Sequence, residues 1–167
     1  MFKQSYKPTD ENIWSGRADS KENFDAFRWH QWIKCIDLSD EKLTKFNGKL
    51  GFCFLGFCCD KGVENNKGRI GASKAPYNIR KAMVNLPCWF KPEVELFDAG
   101  DILCEAYTLE QCQEFLAIAV EKILTLNLFP IILGGGHEVA FGHYRGLSNH
   151  LSKLDSNTNI GIINFDA

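Results

Sequence analysis

Apolar runs of strand length alternate with stretches long enough for helices, and that alternation leaves few folds open to this chain. Residues 50–57, 93–97, 129–133 and 159–165 read as strands, with helices expected over 75–86, 108–126 and 137–154. Strands almost continuous in apolar residues are buried on both faces, and helix-length connections are what parallel neighbours require. The sequence therefore predicts an α/β fold, a three-layer αβα sandwich built on a parallel sheet.

The middle helix is the plainest. Leu109, Cys112, Leu116, Ala119, Ile123 and Leu126 recur at steps of three and four, and Thr108 with Gln111 makes a capping box. In the last helix Ala140, Phe141, Tyr144, Leu147, Leu151 and Leu154 mark one apolar face, while Pro76 opens the first helix where a missing N–H is tolerated. Residues 1–48 differ from the rest. They hold Trp14, Phe24, Phe27, Trp29 and Trp32 but no strand-like run, and read as an extension with a helix around residues 22–36 whose aromatics pack on the main α/β domain, residues 49–167.

At 167 residues, 45% hydrophobic and 24% charged, the chain is long enough for one domain with a real core. A net charge of −2 and scattered Lys and Arg argue against nucleic acid and for a small-molecule ligand. The apolar runs are far short of the roughly 20 residues of a spanning helix, and charged residues stand where a signal peptide needs an apolar core. No membrane association is expected, and the cytoplasm is the default location. The cysteines number seven, an odd count without any C-x-x-C pair, which reads as buried, reduced thiols rather than disulfides or zinc.

In a parallel sheet the loops after the strands gather along one edge. The long polar loop 58–74, the glycines at 134–136 and the end of the run 159–165 would meet there, bringing His137 and Asp166 together. Glycines allow a sharp turn, and an imidazole beside a carboxylate suits a divalent transition metal such as manganese, zinc or iron. Blander readings stand beside these: a tight turn with a capping histidine for His137, and an N-cap for Asp166. Arg69 is either a cation at the substrate rim or a partner tying the loop down. Glu138 is read as favouring the positive end of its helix, His30 as a hydrogen-bonding residue, and Asp98 and Asp101 around Gly100 as turn formers. His143 and His150 lie a turn or more from the edge and are set aside.

These residues resemble a known family. Gly134-Gly135-Gly136-His137-Glu138 is similar to the first metal motif of the ureohydrolases (arginase, agmatinase and formimidoylglutamase), and Asn164-Phe165-Asp166-Ala167 resembles the opening of their second, Asp-Ala-His-x-Asp. The run from Gly68-Arg69-Ile70-Gly71-Ala72 through Pro76 to Ile79-Arg80 resembles a third motif, with Ala75 in place of the usual glycine. Trp14-Ser15-Gly16-Arg17-Ala18-Asp19 and Arg28-Trp29-His30-Gln31 favour the formimidoylglutamase branch.

The resemblance covers essentially the whole chain but only about the first half of the family's length. It implies an arginase-like sandwich cut at the second metal motif, and a hydrolase of linear amidines that uses two Mn2+ ions to split N-formimidoyl-L-glutamate into L-glutamate and formamide in histidine degradation. By motif position His137 would ligate one metal and Asp166 would bridge both, while homo-oligomers are compatible with the family. The rest of the second motif and the Ser-x-Asp-x-Asp third motif are not in this sequence, so no catalytic residue is assigned and the chain alone is expected to be inactive. Three alternatives remain: another ureohydrolase of arginase or agmatinase type, a non-catalytic truncated fragment, and a nucleotide- or phosphate-binding module using the glycine-rich turn.

Overall fold

The computed structural model describes residues 2–154 and 158–165. Its elements run α1 (Phe2–Ser5), β1 (Tyr6–Lys7), α2 (Trp29–Trp32), β2 (Lys34–Cys35), β3 (Leu50–Cys58), α3 (Lys61–Asn65), α4 (Ala75–Met83), β4 (Val94–Leu103), α5 (Leu109–Thr125), β5 (Phe129–Leu133) and α6 (Val139–Leu154). The sheet order is β1-β4-β3-β5, with β2 also on β4. Strands β2, β3, β4 and β5 pair in parallel, and β1 runs antiparallel to β4.

Strand β3 lies between β4 and β5, which is why its sequence is apolar on both faces. Cys53, Leu55 and Phe57 join the larger core with Leu116, Val120 and Ile123 of α5. Phe54 and Phe52 point the other way, into a second core with Ile79 and Met83 of α4 and with Trp29 and Trp32. Helices thus cover both faces, as the sandwich requires. The capping box of α5 forms: the Gln111 amide N–H donates to Thr108 Oγ1 at 3.3 Å, and the Thr108 N–H to Gln111 Oε1 at 2.9 Å.

Strand β4 is longer than the expected 93–97 because it continues through a bulge. Phe54 faces Asp98 and Gly56 faces Asp101, so Ala99 and Gly100 oppose Leu55 alone. Gly100 has φ +81°, and a Cβ there would meet the Lys7 carbonyl at 2.1 Å, so β1 approaches where only glycine fits. The bulge carries Asp98 inward to Arg80, which is buried on α4.

Three expectations are corrected. The helix over 22–36 is a single turn, Trp29–Trp32, preceded by a 3-10 turn at Phe24–Ala26. Its backbone hydrogen bonds go elsewhere: Cys88 N–H to the Phe27 carbonyl at 2.9 Å and Trp29 N–H to the Leu86 carbonyl at 2.9 Å. Aromatic contacts override helix periodicity here, with Phe24 edge-on to Trp32 at 4.7 Å and Trp29 stacked on Phe54 at 5.7 Å. The aromatics do pack on the main domain, but β1 and β2 make residues 1–48 contributors to the sheet.

The second correction concerns residues 159–165, which form no strand beside β5. They have no regular structure and stand in solvent, with Phe165 95% exposed. A parallel edge strand is stable when both faces are covered, and among the described residues nothing covers the position outside β5. Third, α6 does not bury its apolar face. Gly142 and Gly146 lie against α5, where added Cβ atoms would meet Leu116 Cδ2 at 2.9 Å and the Ala117 carbonyl at 2.6 Å. That close approach turns Phe141, Tyr144 and Leu154 outward to solvent.

Candidate functional site

The carboxyl ends of β3, β4 and β5 bring together Cys59-Asp60, Cys104-Glu105 and the turn Gly134–His137. Gly134 and Gly135 have φ +74° and +76°. A Cβ on Gly134 would strike Pro76 Cδ at 2.5 Å and one on Gly135 would strike Phe57 Cδ1 at 2.6 Å, so the turn is pressed against α4 and β3. A Cβ on Gly136 would meet Glu138 Oε2 at 2.3 Å and Val63 Cγ2 at 2.6 Å, and the Glu138 side chain is free to give way. These contacts set His137, exposed, on the turn that leads into α6. Asp166, its expected partner, lies outside the described residues.

The loop after β3 is tied by Asp60, which the sequence reading missed. Asp60 Oδ1 accepts the amide N–H groups of Gly71 at 2.9 Å and Ser73 at 3.0 Å, while the Ser73 hydroxyl donates to Oδ2. Burial works to raise the Asp60 carboxyl, yet the Ser73 hydroxyl and the Gly71 and Ser73 amides outweigh it and hold the group below the usual aspartate range. Gly71 sits at φ +137° in that closure. Arg69 is exposed on the same loop.

Glu138 meets its own backbone N–H at the start of α6 and also reaches beyond that helix. Its Oε1 accepts the Gly62 N–H at 3.3 Å, at the start of α3, and its carbonyl accepts from Gln113 Nε2 at 3.2 Å. Burial, with Cys59 close by, pushes its carboxyl up. His30 Nδ1 donates to the Val84 carbonyl at 2.8 Å, as a hydrogen-bonding residue would, and burial lowers His143. Asp98 makes the expected turn bond, accepting the Gly100 N–H at 3.0 Å, and Asp98 and Asp101 are also ion-pair partners of Arg80.

A cleft of about 620 Å³ opens on this edge, bordered by Asp60, Lys61, Glu64, Ser73, Cys104 and Glu105. Another, of about 550 Å³, lies at the amino ends of the strands around Phe46, Gly48 and Leu128, and its lining contributes no carboxylate or imidazole. Of these two, the first has the carboxylates and hydroxyl suited to chemistry.

Manganese is a hard cation that takes carboxylates and imidazoles. Among the described residues, the group that brings three donor atoms together is Cys59, Cys104 and Cys112, a sulfur set that does not suit manganese. The described residues therefore do not complete a manganese pair.

The topology defines an α/β protein with helices on both faces of a mostly parallel sheet, a class that builds its sites at the carboxyl ends of the strands. The arginase family model matches residues 50–167, and the chain belongs to that family. It is 62% identical to a formimidoylglutamase of Clostridium tetani (strain Massachusetts / E88) over 167 residues, which is 100% of this chain and 49% of that relative. A formimidoylglutamase of Geobacillus sp. (strain WCH70) is 42% identical over 162 residues, 97% of this chain and 48% of the relative. The crystal structure of Trypanosoma cruzi formiminoglutamase with Mn2+ superposes with a TM-score of 0.53 at 30% identity, covering 60% of this chain and 36% of that one. The chain spans about half the length of the curated relatives it matches.

Proposed function

We propose that this chain supplies the first half of a formimidoylglutamase-type hydrolase, acting on N-formimidoyl-L-glutamate with two Mn2+ ions in histidine degradation. His137 would be a ligand to one manganese and Asp166 a carboxylate bridging both, the remaining ligands coming from the part of the family fold this chain does not contain. The observation that carries this reading is the Gly134–Gly136 turn, whose positive φ angles and contacts with Pro76 and Phe57 fix His137 at the carboxyl edge. The identity to formimidoylglutamases over the whole chain supports the substrate class.

Cations held there by His137 and Asp166, with ligands from the rest of the family fold, would supply Lewis-acid activation for hydrolysis of an amidine. This chain's own contribution is positioning: the turn holds the imidazole, and Asp60 closes the loop that carries Arg69, the proposed cation for a substrate carboxylate. A phosphate-binding use of the turn is disfavoured, because the Glu138 carboxylate stands beside Gly136 where an anion would approach. Location in the cytoplasm fits the reading; no helix among the described residues is long and apolar enough to cross a membrane.

The test is to purify the chain and add manganese, following binding by the loss of the free-ion electron paramagnetic resonance signal and activity by glutamate release. Weak binding and no turnover are expected, since one imidazole and one carboxylate cannot hold two cations against their repulsion and lost hydration. Turnover at the rate of a full-length relative would mean that the site is built elsewhere.

A further inference from the structure

Cys59, Cys104 and Cys112 come from three different elements and meet in the core. Cys59 follows β3, Cys104 follows β4, and Cys112 is in the first turn of α5. Their exposures are 0%, 2% and 0%, and their sulfurs all lie within 4.8 Å of one another. The backbone sets the meeting point: Cys104 N–H donates to the Cys58 carbonyl at 3.3 Å, and Cys112 N–H to the Thr108 carbonyl at 3.0 Å. All three are free thiols.

We propose that Cys59, Cys104 and Cys112 form a three-thiolate binding site for a single soft divalent cation of the zinc type, separate from the manganese ligand His137. Zinc binds thiolate sulfur at about 2.3 Å in tetrahedral geometry, which puts sulfurs about 3.8 Å apart, so the three need close in by only about 1 Å or less. Thiolates select zinc over manganese, the reverse of the carboxylate preference of a hard site. Cys104 also borders the cleft of about 620 Å³, which places the cluster directly beneath that edge.

Without a cation Cys112 Sγ donates to the Cys104 carbonyl at 3.7 Å, so cation binding must release that proton. Hydrogen bonds from Cys104 and Cys59 hold the Cys112 thiol well below its usual range, with Lys61 adding to the effect, while the same pairing pushes Cys104 up. The start of a helix also favours a thiolate. Glu138 contacts Cys59 but keeps its bond to the Gly62 N–H and stands outside the group of three, so ligation is assigned to the sulfurs. The competing reading is three neutral thiols sharing hydrogen bonds in an ordinary core, with no affinity for metal.

The experiment titrates the reduced, metal-stripped chain with Co2+ as probe and then with Zn2+. One equivalent should bind, with a thiolate-to-cobalt charge-transfer band that zinc abolishes. Cys104→Ser and Cys112→Ser should each lose the band and weaken zinc binding by more than the roughly 10–100-fold seen on losing an outer partner. Cys35→Ser and His137→Ala should keep it. X-ray absorption of the zinc-loaded, unsubstituted chain decides the matter even where a serine variant misfolds: three sulfur scatterers at about 2.3 Å are expected. Absence of the charge-transfer band, a band that survives in both serine variants, or a shell of nitrogen and oxygen alone overturns the proposal.

Discussion

Arg80 and Asp98 form a buried two-pronged ion pair, with Nε 2.7 Å from Oδ2 and Nη2 2.8 Å from Oδ1. The pair joins α4 to the bulge of β4. Asp98 also accepts Trp14 Nε1 at 2.7 Å, Thr9 Oγ1 at 2.9 Å and the Gly100 N–H at 3.0 Å, so one carboxylate fastens the amino-terminal segment to the sheet. Burial opposes the guanidinium charge, and Asp98 with Asp101 more than offsets it. Removing one partner leaves a buried charge unpaired. Asp98→Ala is expected to cost about 3–5 kcal/mol in urea unfolding. Asp101→Ala, whose side chain is 24% exposed, should cost clearly less; equal losses would contradict the account.

Gly135→Ala places a methyl 2.6 Å from Phe57 Cδ1 at φ +76°, whereas Gly71 has φ +137° with nothing within 4 Å. Both substitutions strain the backbone, by roughly 1–3 kcal/mol each. Only the first adds a clash in the packed core, costing about 1–3 kcal/mol more. Thermal unfolding should therefore rank Gly135→Ala well below Gly71→Ala, and the reverse order would refute the packing of the turn.

The Asp60 carboxyl titrates below its unfolded value, so its hold on the loop is fully present above about pH 3.9 and fades as pH falls through the lower folded value. Hydrogen-exchange protection of the Gly71 and Ser73 amides should drop across that acidic window. In Asp60→Asn the acid-dependent step should vanish; its persistence would assign the closure to another group.

Leu116 is fully buried against α6, while Phe141 is 55% exposed on the opposite side of that helix. Leu116→Ala should destabilise the chain by about 2–5 kcal/mol. Phe141→Ala should stay within about 0.5 kcal/mol. A large loss from Phe141→Ala would show that the outward face of α6 is covered after all.

Strands β3 and β5 and helices α4, α5 and α6 were legible because their periodicity reports burial directly, whereas the apolar run 159–165 looked the same and forms no strand. The reach of β4 was not legible, since the bulge at Ala99-Gly100 and the Arg80 pair are decided by tertiary contacts. The same holds for the 22–36 segment, where pairing with residues 86–88 replaces helix bonds. On α6 the apolar stripe was read correctly as a stripe, but Gly142 and Gly146 decide which side meets α5. Motif resemblance singled out His137 and the glycines that hold it. Asp60 and the three cysteines carry no recognisable spacing, and only folding brings Cys59 beside Cys104 and Cys112.

The most direct measurement continues this chain after Ala167 with the second half of the Clostridium tetani formimidoylglutamase and assays glutamate release from N-formimidoyl-L-glutamate with added manganese. Manganese-dependent turnover is expected from the fusion, with none from the 167-residue chain alone and none from the fusion carrying His137→Ala. Undiminished turnover by the His137→Ala fusion would contradict the assignment of that histidine to the metal centre.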